Sequence, residues 1–238
     1  VLYKCYNTFY HPSNMLLVVC GNFEPEKMLE GIKRRLIDKE KQGEIERIYP
    51  KEEDKINKTY NEVKMEVNTP LFMIGFKDNQ EEIDNIVKKH IAIEIILNIL
   101  LGQSSELYKK LYEQGSLIAP PDLDYEFSKE YAHILISGQS KNPKEVVIKL
   151  LEKIQELKTN GIEEEQFNRI KKKIYGNYVT EYNSVSEISK MFLADYFKGI
   201  NSFDYLENYN LITIDYVKQI LNEIFIEENM VVSIVEPK

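Results

Sequence analysis

The sequence predicts an α+β fold: one antiparallel β-sheet backed by amphipathic helices. Three observations lead there. Short apolar segments of strand length recur at 63–67, 71–76, 123–127, 132–137 and 230–235. Longer segments with helical period cover 83–101, 143–158 and 163–182. The two kinds of segment do not alternate strictly, which sets aside a doubly wound parallel sheet.

The chain opens in mid-helix. Val1, Leu2, Cys5, Tyr6 and Phe9 share one face, and Pro12 stops the helix by disfavouring helical geometry at His11. A helix that begins at Val, with no cap and no initiator Met, is expected in a piece of a longer protein. Met15 to Cys20 is continuously apolar and reads as a buried strand. Gly21-Asn22 turns the chain, and Pro25 suits the first position of a helix through about Leu36. Residues 38–58 are charge-rich and read as a solvated linker. After it, Val63, Met65 and Val67 alternate with Lys64 and Glu66, the pattern of a half-buried strand, and Thr69-Pro70 ends it.

Leu71 to Phe76 reads as a more buried strand. Ile83 to Leu101 is a strongly apolar helix closed by Gly102, and a short helix from Ser105 to Gln114 closes at Gly115. Leu123–Phe127 and Ala132–Ser137 are strands at hairpin spacing. Pro143–Lys158 carries Val146, Leu150, Ile154 and Leu157 on one stripe and stops at Asn160-Gly161. Glu163 to about Tyr182 follows. Ser184-Val-Ser-Glu187 matches a capping box for a helix through Phe197. Thr213 suits the N-cap of a helix from Ile214 to Phe225, and Met230–Val235 is a last strand.

Composition removes several function classes. Lys and Arg number 31 against 39 Asp and Glu, a net charge of −8. Such a chain lacks the clustered positive charge that nucleic-acid binding needs. The most apolar stretch, Ile91–Leu101, is interrupted by Glu94 and Asn98 and is too short to cross a bilayer, so no membrane partner is expected. No signal peptide opens the chain. Cys5 and Cys20 make no disulfide framework and fit a reducing, cytoplasmic compartment; each lies on an apolar face and reads as a small buried hydrophobe. There is no P-loop, no Gly-x-Gly-x-x-Gly and no Gly-x-Ser-x-Gly. Lys171–Lys173 and Glu163–Glu165 suit a solvated helix face with charge pairs.

The sequence also repeats itself. Residues 14–19 read Asn-Met-Leu-Leu-Val-Val and residues 229–234 read Asn-Met-Val-Val-Ser-Ile, each after an amphipathic helix ending in an aromatic. Six residues can match by chance; a duplicated closing element of one fold explains them equally well.

Phe9-Tyr-His-Pro-Ser-Asn-Met-Leu-Leu-Val-Val-Cys-Gly21, followed by Phe23-Glu-Pro-Glu26, resembles the pitrilysin/insulinase-type zinc peptidases, where such a segment closes the first of two homologous halves. Phe72-Met-Ile-Gly-Phe76, the apolar run Ala92 to Gly102 and Ser104-Ser-Glu-Leu-Tyr108 resemble the second half. The match around His11 to Leu17 is similar to the bacterial, Bacillus-type subgroup associated with elongation-factor P modification. The resemblance implies two α+β halves enclosing a chamber where an unfolded peptide is cut. It places 1–37 as the closing elements of the preceding repeat, 38–56 as linker and 57–238 as the C-terminal peptidase-like domain.

Such an enzyme needs zinc, two closely spaced His ligands and a general base. The family carries them as His-x-x-Glu-His. This sequence lacks that motif; its histidines are His11, His90 and His133. No catalytic residue and no metal ligand is therefore assigned to the chain, and zinc is expected in the N-terminal half. His90 and Glu94 lie one turn apart on the helix matching the family's zinc helix. Two ligands do not make a catalytic site, and a solvent-edge His beside Lys88-Lys89 is the plainer reading. His11 reads as a helix-terminating residue and His133 as a hydrogen-bonded structural one. The family's substrate-gripping Arg and Tyr, seven residues apart after the Ser-Ser segment, fall here on Tyr112 and on Ile118 or Ala119. None of Arg34, Arg35, Arg47 and Arg169 takes that place. Tyr108 and Tyr112 either line the chamber or are ordinary helix packing.

Two functions are compatible with this. The chain is the non-catalytic C-terminal half of a zinc-dependent metalloendopeptidase, forming a wall of the peptide chamber and orienting peptide by strand addition. Alternatively, the parent is an inactive homologue acting as a protein-binding or assembly subunit. The expected partners are the N-terminal half, a peptide or unfolded protein substrate, and a homologous subunit or a second copy of this chain.

Overall fold

A computed structural model describes residues 1–36, 43, 45, 46, 48, 53, 55–78, 83–128 and 131–238. They cluster into two compact units, one of Val1–Lys51 with Val179–Ser202 and one of Glu52–Tyr178 with Phe203–Lys238. Most of the expected linker, 38–58, lies outside the described residues.

The larger unit holds β1 (Tyr60–Met65), β2 (Leu71–Asp78), α3 (Ile83–Leu101), α4 (Glu106–Glu113), β3 (Asp122–Phe127), β4 (Ala132–Gln139), α5 (Pro143–Asn160), most of α6 (Glu164–Glu181), α8 (Asp204–Leu211), α9 (Ile214–Ile224) and β5 (Met230–Pro237). The smaller holds α1 (Leu2–Phe9), α2 (Pro25–Arg35) and α7 (Val185–Lys198).

The five strands predicted between residues 63 and 235 all enter one sheet, in the order β1-β5-β2-β4-β3. It is mixed rather than wholly antiparallel: β1 runs parallel to β5, with Tyr60 opposite Val232 and Val63 opposite Val235. The other pairs are antiparallel, with Ile74 opposite both Ile136 and Val232. Alternation along each strand sends Phe72, Ile74, Phe76, Ile134, Ile136, Val232 and Ile234 to one face, where they are buried. Helices α3, α5 and α9 cover that face with Ile91, Ile95, Val146, Leu150, Val217 and Leu221.

The predicted caps are present. Ser105, Ser184 and Thr213 accept from the backbone N–H groups of Tyr108, Glu187 and Tyr216. Gly199 closes α7 in the left-handed conformation, φ 78°, where a side chain would be strained. Two helix ends are capped from other helices. Lys171 Nζ donates to the Ile212 carbonyl after α8, and Lys158 Nζ to the Phe225 carbonyl after α9, each at 2.9 Å. Lys171 is thus half-buried rather than part of a solvated lysine face, and Lys173 Nζ donates to Asn98 Oδ1.

Three expectations are corrected. Met15–Cys20 is extended but joins no ladder among the described residues. Cys5 is exposed and Cys20 half-exposed. The apolar patterns there encode burial, yet no residue of 1–36 is buried in the described structure. Third, β1 is an edge strand whose Val63 and Met65 point to the face opposite the helices and are exposed, not half-buried.

Candidate functional site: an open sheet face

The face of the sheet opposite the helices follows from the register. It carries Asn61, Val63 and Met65 of β1, Ser233 and Val235 of β5, Leu71 and Met73 of β2, Leu135 and Ser137 of β4, and Asp122, Asp124 and Glu126 of β3. Val63 is 38% exposed, Met65 53% and Met73 45%, whereas Ile74 and Ile234 on the helix side are fully buried. The surface grades from apolar at the β1 edge to acidic at the β3 edge. Behind β1, the Tyr60 hydroxyl donates to Glu62, and Lys144 pairs with the same carboxylate at 2.9 Å. These two hydrogen bonds hold the Glu62 carboxyl below its usual range, while the bond to Glu62 pushes the Tyr60 phenol up.

Tyr108 is buried on α4; Tyr112, one turn on, is 53% exposed. Their rings stack with centroids 5.7 Å apart. At the start of the same helix, Arg169 Nη1 donates to Ser104 Oγ at 3.0 Å. Arg169 therefore reaches the Ser-Ser segment from α6, which linear spacing along that segment could not reveal.

The three histidines lie apart. The His11 ring accepts from the Ser13 backbone N–H at 3.2 Å as the N-cap of a 3-10 turn, Pro12–Asn14. His133 stacks on Tyr131, centroids 5.6 Å apart, so a ring contact anchors it where a hydrogen bond was expected. His90 is half-buried. Its Nδ1 lies 2.7 Å from the Tyr205 hydroxyl, and its ring packs against Tyr125, Phe127 and Tyr205. An imidazole so enclosed is a packing residue joining α3, α8 and β3. Among the described residues no group of three or more His, Cys, Asp or Glu side chains is placed to hold a metal ion. Likewise, no helix is long and apolar enough to cross a membrane.

Beside His90 lies an ion pair that the sequence reading did not anticipate. Lys89 Nζ is 2.8 Å from Asp78 Oδ1, with the two side chains 4% and 5% exposed, and the Tyr125 hydroxyl donates to Asp78 Oδ2 at 2.7 Å. Lys89 is therefore not part of a solvated lysine pair. A signal existed: Lys89 falls on the apolar stripe of α3 between Ile86 and Ile93, and a lysine there needs a buried partner.

Comparison with known proteins accounts for this geometry. Across its whole length the chain is 29% identical to the uncharacterised zinc protease YmfH of Bacillus subtilis (strain 168), and it spans 56% of that protein. It superposes on an M16-like peptidase of Alicyclobacillus acidocaldarius with a TM-score of 0.89 at 27% identity, covering all of this chain and 57% of the other. A protease of Helicobacter pylori shares the fold at a TM-score of 0.86 and 17% identity, with 99% of this chain and 58% of that one covered. The chain thus spans little more than half the length of these relatives. The family model described as the peptidase M16 inactive domain matches residues 1–174. That match spans more than half of the chain, and with it this chain belongs to the M16 peptidase inactive-domain family.

Proposed function

We propose that the chain is the non-catalytic half of a zinc-dependent endopeptidase and forms one wall of its peptide-binding chamber. Residues 1–37 then belong with the preceding, zinc-carrying half, 38–56 link the two, and 57–238 form the second half. The observation that carries this reading is the open sheet face. Val63, Met65 and Met73 lie uncovered on this face, whereas Ile74, Ile136 and Ile234 on the other are fully buried. A concave partner holding an extended peptide against that face would use both its apolar side chains and its edge strands. Tyr112, exposed and held by its stack on Tyr108, is the aromatic offered to peptide. Zinc would be held by the other half, where its chemistry is polarisation of a carbonyl and activation of water.

The test is reconstitution. The half carrying His-x-x-Glu-His and this chain are prepared separately, then mixed with internally quenched peptides. Neither alone should cleave; the mixture should, and a chelator should abolish the activity. Cleavage by the zinc half alone at the rate of the mixture, or none in the mixture despite bound zinc, would overturn the reading.

A further inference from the structure

A strand at the edge of a sheet offers a row of backbone donors and acceptors to another chain. Among the described residues, β1 has β5 on one side and no strand on the other. Its bonds to β5 fix which groups face outward. The Thr59 carbonyl accepts from the Val232 N–H at 2.8 Å, and the Met65 carbonyl from the Lys238 N–H at 3.0 Å. Backbone groups alternate in direction along a strand. Asn61, Val63 and Met65 therefore turn theirs to β5, and Tyr60, Glu62 and Lys64 turn theirs outward.

The side chains divide in the same way. Glu62 and Lys64 are exposed on the helix side of the sheet, and Val63 and Met65 are exposed on the open side. A second copy related by a two-fold axis normal to the sheet runs antiparallel to the first. Outward groups must then meet outward groups, and each face must meet the same face. Two registers satisfy this while overlapping most of β1. One centres on Glu62 and sets that carboxylate against its own copy. The other centres on Val63. It sets Glu62 of each copy opposite Lys64 of the other, with Val63 on Val63 and Asn61 on Met65 across the open face. Opposite charges directly across a ladder stabilise it and like charges destabilise it. A parallel copy in register would again align Glu62 with Glu62.

We propose that the β1 edge is a self-association site, joining two copies of this chain antiparallel about Val63 into one continuous sheet. The Tyr60 hydroxyl and Lys144 Nζ both bond Oε2 of Glu62, which leaves Oε1 for Lys64 of the second copy. The joined sheet ends on both sides in β3, whose Asp122, Asp124 and Glu126 repel a further acidic edge, so the assembly closes as a dimer. Both open faces lie on the same side of the joined sheet, and the inference does not depend on the function proposed above. A single strand edge is small for a permanent interface, so the equilibrium is concentration-dependent.

Charge reversal tests it, with sedimentation of the full chain over a range of concentrations. The native chain should pass from monomer to dimer. E62K and K64E each set like charges across the seam, and each should weaken dimerisation by about tenfold or more. E62K/K64E, which exchanges the two charges within one chain, should dimerise like the native chain. An equimolar mixture of E62K and K64E should do the same, because the mixed pair again opposes Lys with Glu at both contacts. That recovery cannot come from a variant that fails to fold. A native chain still monomeric at roughly 1 mM would overturn the proposal. So would dimers indifferent to both single substitutions, as docking through residues 1–20 would give, or a mixture no tighter than its components.

Discussion

The Lys89–Asp78 pair sets the stability of the seam where β2 ends and α3 begins. Its charges are 2.8 Å apart and about 95% removed from water, and Asp78 also accepts from Tyr125. Replacing Lys89 by Met keeps the volume of the stem but removes the ammonium from beside the buried Asp78 carboxylate. Losing one partner of a buried pair costs about 3–5 kcal/mol, because desolvation of the survivor is no longer offset. Replacing both, as K89M with Asp78→Leu, removes both desolvation penalties. That double variant should recover most of the loss, short of about 1 kcal/mol for the Tyr125 hydroxyl that loses an acceptor. The assay is urea unfolding of the chain followed by far-ultraviolet circular dichroism, with the slope checked for constancy. A K89M cost under about 1 kcal/mol would refute the claim of a desolvated pair. Equally damaging would be a double variant as unstable as the sum of the single ones.

Other outcomes follow from particular side chains. Ile234→Ala, at a fully buried position in β5 between two strands, should cost about 2–5 kcal/mol in the same urea assay, whereas Val19→Ala in the chain alone should cost under about 0.5 kcal/mol. Burial, and then Tyr175, pushes the Tyr209 phenol up to about 12. Its unfolded value is near 10, so the neutral phenol favours the fold fully below pH 10 and that contribution fades as pH rises towards 12; Tyr209→Phe should flatten this part of a pH–stability profile. The Tyr209 hydroxyl also has no hydrogen-bond partner among the described residues, so Y209F should cost nothing at pH 7, and a loss above about 1 kcal/mol would contradict its being unsatisfied. Thr213→Ala should lower stability by about 0.5–2 kcal/mol through loss of the α9 cap, measurable as a lower urea midpoint. Tyr112→Ala should leave the melt of the chain unchanged and raise KM for peptide in the reconstituted enzyme; an unchanged KM would remove Tyr112 from the chamber.

Elements whose stabilising partners lie in the same unit were legible. The stripe of Val146, Leu150, Ile154 and Leu157 and the caps at Ser184 and Thr213 each specify a helix from local chemistry, and each is where the spacing put it. The β3–β4 hairpin likewise needs only its own two strands. α8 had no such signal: eight residues long, it starts at Phe203 with no side-chain cap, and its carbonyl end is satisfied by Lys171, distant in sequence. The parallel pairing of β1 with β5 was invisible for a related reason, since direction depends on a crossover and not on the strands' own patterns. At the site, spacing singled out Tyr108 and Tyr112 together, but not that the first would be buried and the second exposed. Arg169 at Ser104 and Lys89 at Asp78 required the fold to bring distant residues together.

The mismatches run in both directions, for different reasons. At Leu17, Val19, Val63 and Met65 the pattern asks for at least partial burial and the described structure leaves the side chain exposed. At Lys89, His90 and Lys171 the pattern reads as solvated, and the fold supplies each with a partner that buries it in whole or in part. The described structure buries few charged side chains, and the Lys89 ammonium among them is paired. Large apolar side chains are exposed along 1–20, at Leu2, Tyr3, Met15 and Leu17, and on the open sheet face at Val63, Met65 and Met73, as well as at Val185, Phe197 and Phe203. On the function proposed above, the exposed sheet face and the 1–20 segment are the surfaces that the other half of the protein would cover.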